Sequence, residues 1–116
     1  MSIDLAIRPA LEAFHAVLVS RYGTRLYAVY LFGSRARGDH HADSDADLAV
    51  FVDAEGRTRG DLLRDQVDLS GAAYDIWLDT GTRIQPWVFS SETLACPERD
   101  RNAHLLRNIL SEGIAA

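Results

Sequence analysis

Two apolar runs, LYAVYLF at residues 26–32 and DLAVFV at 47–52, enclose the polar segment GSRARGDHHADSD. Both runs are dense in β-branched and aromatic residues and too short for buried helices, so they read as buried strands. The chain must therefore leave one strand at Gly33-Ser34 and enter the next through Asp45-Ala46-Asp47. Gly33 has no β-carbon, which lets the backbone turn tightly and lets a phosphate come close. Ser34 offers a hydroxyl to a phosphate oxygen, and a short helix starting there would add free N–H groups and a favourable dipole. Asp45 and Asp47 are two apart, so on extended backbone both side chains share one face. Two such carboxylates repel each other unless a cation or an arginine lies between them. Magnesium suits the pair, because it takes carboxylate oxygens together with water and substrate phosphates. A Gly-Ser pair alone is usually a turn, and Asp-x-Asp alone is usually a solvated strand end. Their combination across a strand–turn–strand frame points to phosphate chemistry.

The rest of the chain supports that frame. Ile3, Ile7, Leu11, Phe14, Val17 and Leu18 form one apolar stripe on a helix from about residue 3 to Arg21, stopped at Tyr22-Gly23. Leu62, Leu63, Val67, Leu69, Ala73, Ile76 and Trp77 predict a second helix from Arg59 to about Asp79, with Gly81 beyond its end. RIQPWVF, residues 83–89, reads as a third strand whose Pro86 suits an edge or a bulge. A helical turn capped by Ser90 or Ser91 and a last helix over Arg99–Glu112 complete the chain. In that helix Leu105, Leu106, Ile109 and Leu110 face inward and Gly113 is the stop. The expectation is an α/β (α+β) chain in the order α-β-β-α-β-α, a small mixed sheet with helices packed on it. All 116 residues are expected to form one domain around one core.

Charge and cysteine content narrow the function. Twelve basic against seventeen acidic residues leave a formal charge of -5, which disfavours a broad nucleic-acid surface built on Lys and Arg. Cys96 is alone, so neither an intrachain disulfide nor a cysteine-rich zinc site is available. The first residues lack the pattern of a secretory signal, and no apolar stretch approaches a membrane span. A cytoplasmic location is the expectation.

GSRARGDHHADSDADLAV resembles the signature of the minimal nucleotidyltransferases, a branch of the DNA polymerase beta-like superfamily. The match is specific over residues 28–52, and the order of elements extends it more loosely over nearly the whole chain. The resemblance implies a nucleoside triphosphate substrate such as ATP, Mg2+, and transfer of a nucleoside monophosphate to an acceptor. By position, Gly33 and Ser34 match the phosphate-binding pair, and Asp45 and Asp47 match the first two metal carboxylates. Many free-standing members are antitoxins encoded beside a HEPN-domain ribonuclease toxin, and some attach AMP to a tyrosine of that toxin. A toxin–antitoxin role with such a protein partner is therefore implied, and an oligomer is compatible with it.

The pattern departs from the family at the third carboxylate, usually carried by the third strand. Gln85 stands at the corresponding place, and an amide neither takes a proton nor replaces a carboxylate's charge. If AYDIWLD, residues 73–79, were a strand instead of helix, Asp75 would supply that carboxylate; the helical spacing favours the helix. Arg35 and Arg37 are candidate phosphate contacts, although either can pair with Asp39, Asp43 or Asp45 instead. His40 and His41 read as solvated loop rather than zinc ligands, and Arg99-x4-His104 as helix surface rather than a HEPN nuclease motif. Trp77 and Trp87 could stack on a base, but burial against the sheet accounts for them more simply.

Overall fold

The computed structural model describes residues 3–41 and 43–116. After a 3₁₀ turn at Leu5–Ile7 come α1 (Arg8–Tyr22), β1 (Leu26–Phe32), α2 (Ser34–Arg37) and β2 (Ala46–Val52). They are followed by α3 (Arg59–Thr80), β3 (Ile84–Ser90), α4 (Glu92–Ala95), α5 (Ala103–Glu112) and β4 (Ile114–Ala115). The fold is the mixed α/β arrangement expected, with three refinements. Helix α1 starts later than its apolar spacing suggests, because Pro9 sits in its first turn, where a missing N–H costs nothing. Pro97–Arg99 is a separate 3₁₀ turn, so α5 begins at Ala103. Beyond Gly113 the chain does not simply stop: Ile114 and Ala115 pair with Leu31 and Tyr30.

The sheet runs β3-β2-β1-β4. Strands β1 and β2 are antiparallel, with Phe32 opposite Asp47. Strands β2 and β3 are parallel, with Asp47 opposite Gln85 and Ala49 opposite Trp87. Parallel neighbours need a crossover, which α3 provides. A capping box at Thr58 and Asp61 starts that helix, and Gly81 at φ 79° ends it in the left-handed conformation that favours glycine.

The sheet is covered on both faces. On one, α1 and α3 bury Phe14, Leu18, Leu69 and Ala73 against Leu31, Leu48, Val50 and Ile84. On the other, Leu106 and Ile109 of α5 pack on Phe32, Ala49, Phe51 and Phe89, with Phe51 and Phe89 stacked at 5.3 Å. Strand β2 is covered on both faces, which is why DLAVFV is continuously apolar rather than alternating. Edge strand β3 is shielded differently. The Gln66 amide on α3 donates to the Pro86 carbonyl at 2.6 Å and accepts from the Val88 N–H at 2.9 Å. Those bonds occupy backbone groups that would otherwise template another strand.

A buried ionic knot joins α1 to α3. Asp65 is fully enclosed and accepts from Arg21 at 2.7 Å, Arg57 at 2.9 Å and the Tyr22 hydroxyl at 2.8 Å. Burial pushes its carboxyl up, but these three donors outweigh burial and hold it below the usual value. Burial and the same carboxylate push the Tyr22 hydroxyl up to about 12.

Two expectations need correction. Asp75 lies on the exposed surface of α3, so the hairpin that would have made it a third carboxylate does not form. Leu63, Val67 and Trp77, expected to face inward, are exposed, as is Leu110 of α5. The inward stripe of α3 is Asp65, Leu69, Ala73 and Ile76, and a second apolar stripe faces solvent. Among the described residues, no helix is long and apolar enough to cross a membrane.

Candidate functional site

The site lies at one end of the β1–β2 pair, on the sheet face shared with α5. Strand β1 runs apolar to Phe32, and the chain must then reverse without crowding Asp47, which sits opposite Phe32. Gly33 makes this possible. Its backbone is at φ 75°, ψ -155°, and a Cβ built there would stand 2.6 Å from Asp47 Oδ2. A side chain there would push the Asp47 carboxylate aside, so the turn and Asp47 are in direct apposition. The Gly33 carbonyl then accepts from the amides of Ala36 at 3.1 Å and Arg37 at 3.0 Å, closing the single turn of α2. Ser34 begins that turn, which Gly38 ends at φ 86°.

The loop back to β2 is held by Arg35. This side chain is buried, donates to the Ser44 carbonyl through Nε at 3.3 Å and Nη2 at 3.2 Å, and pairs with Asp4 at 3.3 Å. It fixes the backbone immediately before Asp45. Arg37 remains half-exposed, pairing with Asp39 at 3.2 Å and with Glu112 of α5 at 3.1 Å. Its charge also reaches Asp47 and lowers that carboxyl.

Asp45 and Asp47 enter β2 on either side of buried Ala46, whose N–H donates to the Arg83 carbonyl at 2.8 Å. Burial raises the Asp47 pKa above the ordinary carboxylate value, the charge of Asp45 raises it further, and Trp87 and Arg37 oppose the shift. Asp47 is thus a carboxylate that its own surroundings leave short of positive charge. Among the described residues, the ion-pair partner of Asp45 is Arg83, at a long 4.0 Å from Nε.

Gln85 stands beside Asp47 on β3 in direct register, which places an amide where the resemblance leads one to expect a carboxylate. Among the described residues no third His, Cys, Asp or Glu gathers with the pair. Trp87 is the residue the sequence reading missed as part of the site. It is two positions beyond Gln85 on the same face, lies 6.4 Å ring to ring from Phe32 and reaches Asp47. Its alternation with Gln85 along β3 was the available signal. His40 contacts Asp4 at 3.1 Å, and His41 is exposed.

Asp45 and Asp47 supply hard carboxylate oxygens beside the Gly33 turn, and Gln85 is the cross-strand neighbour of Asp47. That chemistry fits a magnesium ion carrying triphosphate oxygens and water. Burial first, and the neighbouring Asp45 charge after it, raise the Asp47 carboxyl, and a bound cation would oppose both.

Comparison with known proteins agrees with this geometry. A family model described as polymerase beta, nucleotidyltransferase matches residues 18–115. A candidate protein adenylyltransferase of Methanocaldococcus jannaschii is 39% identical over 46 residues. That alignment covers 40% of this chain and 46% of the relative, so the match spans less than half of either. Among solved structures, a toxin–antitoxin with AMP-PNP superposes with a TM-score of 0.54 at 18% identity, covering 90% of this chain and 70% of that one. A candidate nucleotidyltransferase from Sulfolobus solfataricus gives a TM-score of 0.47 at 16% identity, over 95% and 84%. With the family model spanning nearly the whole chain, this protein belongs to the polymerase beta-type nucleotidyltransferases.

Proposed function

We propose that this protein is a Mg2+-dependent nucleotidyltransferase that moves AMP from ATP onto a partner protein. The observation that carries the reading is the apposition of Gly33 and Asp47, with Asp45 near enough for its charge to raise the Asp47 carboxyl. A turn that must be glycine, pressed against a paired carboxylate, has a ready purpose if triphosphate and metal occupy that corner together.

In this reading Gly33 gives the phosphates close access to the backbone, and Ser34 donates its hydroxyl to a phosphate oxygen. Asp45 and Asp47 would hold magnesium, which when bound neutralises charge on the transferred group and orients the triphosphate. The acceptor hydroxyl oxygen forms a bond to the α-phosphorus, the α–β bridging P–O bond breaks and pyrophosphate leaves. The acceptor proton passes to water, since Gln85 offers no basic atom. Arg35 acts by positioning, as it holds the loop that delivers Asp45. A HEPN-domain toxin encoded beside this chain is the proposed acceptor, making the protein its antitoxin in the cytoplasm.

One observation favours a second reading. Gln85 next to Asp47 weakens both metal affinity and proton removal, which suits a module that neutralises a partner by docking with little or no transfer. Incubation with magnesium and labelled ATP, with and without the product of the neighbouring gene, separates the two. Label on the partner that disappears in Asp47→Asn supports transfer. A complex that forms equally well in Asp45→Asn plus Asp47→Asn, with no label moved by either protein, supports docking alone. Restoring a carboxylate by Gln85→Asp is expected to raise the transfer rate at least about tenfold, as positioned acid–base groups typically contribute more than that.

A further inference from the structure

Helix α3 has two apolar faces, and only one of them meets the sheet. The outer one runs its whole length as Leu63, Val67, Tyr74, Trp77 and Leu78, each between 40% and 70% exposed. Positions 63, 67, 70, 74 and 77 alternate steps of four and three, the spacing with which a helix receives a second helix. Ser70 and Gly71 lie at mid-stripe, where small side chains allow close approach.

The charge beside the C-terminal half of this stripe is one-sided, Arg64 lying nearer the N-terminal end. Trp77 lies on the flank toward β3, under Arg83 at 5.2 Å. On the other flank Asp75 and Asp79 are exposed and make no ion pair among the described residues, whereas Asp68 is matched by Arg21 at 2.9 Å. The last turn of α3 contains no basic residue, so these two carboxylates sit at the negative end of a 22-residue helix dipole. That arrangement costs stability in the isolated chain and is relieved by a cationic neighbour.

From this complementarity we infer that the outer face of α3 docks a basic amphipathic helix of a partner protein, its apolar stripe on Val67 and Tyr74 and its Lys or Arg flank on Asp75 and Asp79. The surface ends near Asp45, since Arg83 lies over the Trp77 ring at 5.2 Å and 4.0 Å from the Asp45 carboxylate. A partner seated there is held next to the site. The inference requires neither nucleotide nor transfer, so it stands or falls separately from the proposed activity.

The test uses the full chain and a synthetic helical peptide of about three heptads with Leu at the core positions and Lys on the flanks. A scrambled peptide of identical composition is the control. Fluorescence anisotropy is expected to show binding of the amphipathic peptide only. Val67→Asp plus Tyr74→Asp should weaken it at least about tenfold, as loss of a central apolar anchor does. Asp75→Lys plus Asp79→Lys should weaken it less and abolish its salt dependence. All four positions are exposed, and unchanged circular dichroism and melting curves confirm that the variants fold. Asp45→Asn plus Asp47→Asn should bind the peptide as wild type does. Equal binding of the scrambled peptide, or no loss in the Val67/Tyr74 variant, would overturn the inference. So would concentration-dependent dimerisation that the same variant abolishes, because the occupant would then be a second copy.

Discussion

Gly33 combines two constraints that a single residue type can meet. Its backbone lies in a region almost reserved for glycine, and a Cβ there would press on the Asp47 carboxylate. Gly33→Ala is therefore expected to cost roughly 1–3 kcal/mol and to displace Asp47. Chemical denaturation measures the first effect and loss of nucleotide binding the second. Asp47 leads to a prediction of opposite sign for stability. Its folded-state pKa is raised, so the folded protein binds this proton more tightly than the unfolded chain does, and ionisation above that pKa destabilises the fold. Asp47→Asn should accordingly raise the melting temperature of the metal-free protein. The same change should remove the stabilisation that Mg2+ with nucleotide gives the wild type. Gly33, Ser34, Asp45 and Asp47 were readable from sequence because their constraint is local: two strand ends and the polar segment between them. The parts played by Arg35 and Trp87 were not, because burial of one and the cross-strand neighbour of the other depend on tertiary packing.

At the scale of elements, α3 was legible in its limits and ambiguous in its faces. Thr58, Asp61 and Gly81 mark its ends chemically, but periodicity alone cannot say which of two apolar stripes meets the sheet. The inward face includes a buried carboxylate that hydropathy argues against. Asp65 is tolerated there because Arg21, Arg57 and Tyr22 converge on it from α1 and the loop before α3, a convergence invisible in one dimension. Removing the carboxylate by Asp65→Ala strands two arginines and is expected to cost about 3–5 kcal/mol, read by urea denaturation. The pH dependence follows from the two shifts. The depressed carboxyl of Asp65 stabilises the fold above its ordinary pKa of 3.8, and this is lost as pH falls through the lower folded value. The raised Tyr22 hydroxyl stabilises below its ordinary value of 10.0, and this is lost as pH rises toward about 12. Asp65→Ala should flatten both limbs of a stability–pH profile. Strand β4 escaped notice because two residues after a helix carry no periodic signal; the pairing with β1 defines it.

For the whole molecule, the order of elements was legible because each apolar run has the length and period of its type. The strand order was not. It depends on α3 as a parallel crossover and on the return of Ile114 and Ala115 to the far side of β1. That topology brings Gly33, Asp45, Asp47, Gln85 and Trp87 to one corner of the sheet, and it leaves the outer face of α3 running toward the same corner. The proposed function therefore rests on a single binding site made by the turn after β1 and the start of β2. The direct test is calorimetric titration of the protein with a non-hydrolysable ATP analogue in the presence of Mg2+. Wild type should bind with one-to-one stoichiometry, and Asp45→Asn plus Asp47→Asn, still folded, should bind at least about a hundredfold more weakly, in line with the loss of the paired charges that hold the metal. Absence of heat from the wild type, or equal affinity in the double variant, would contradict the account.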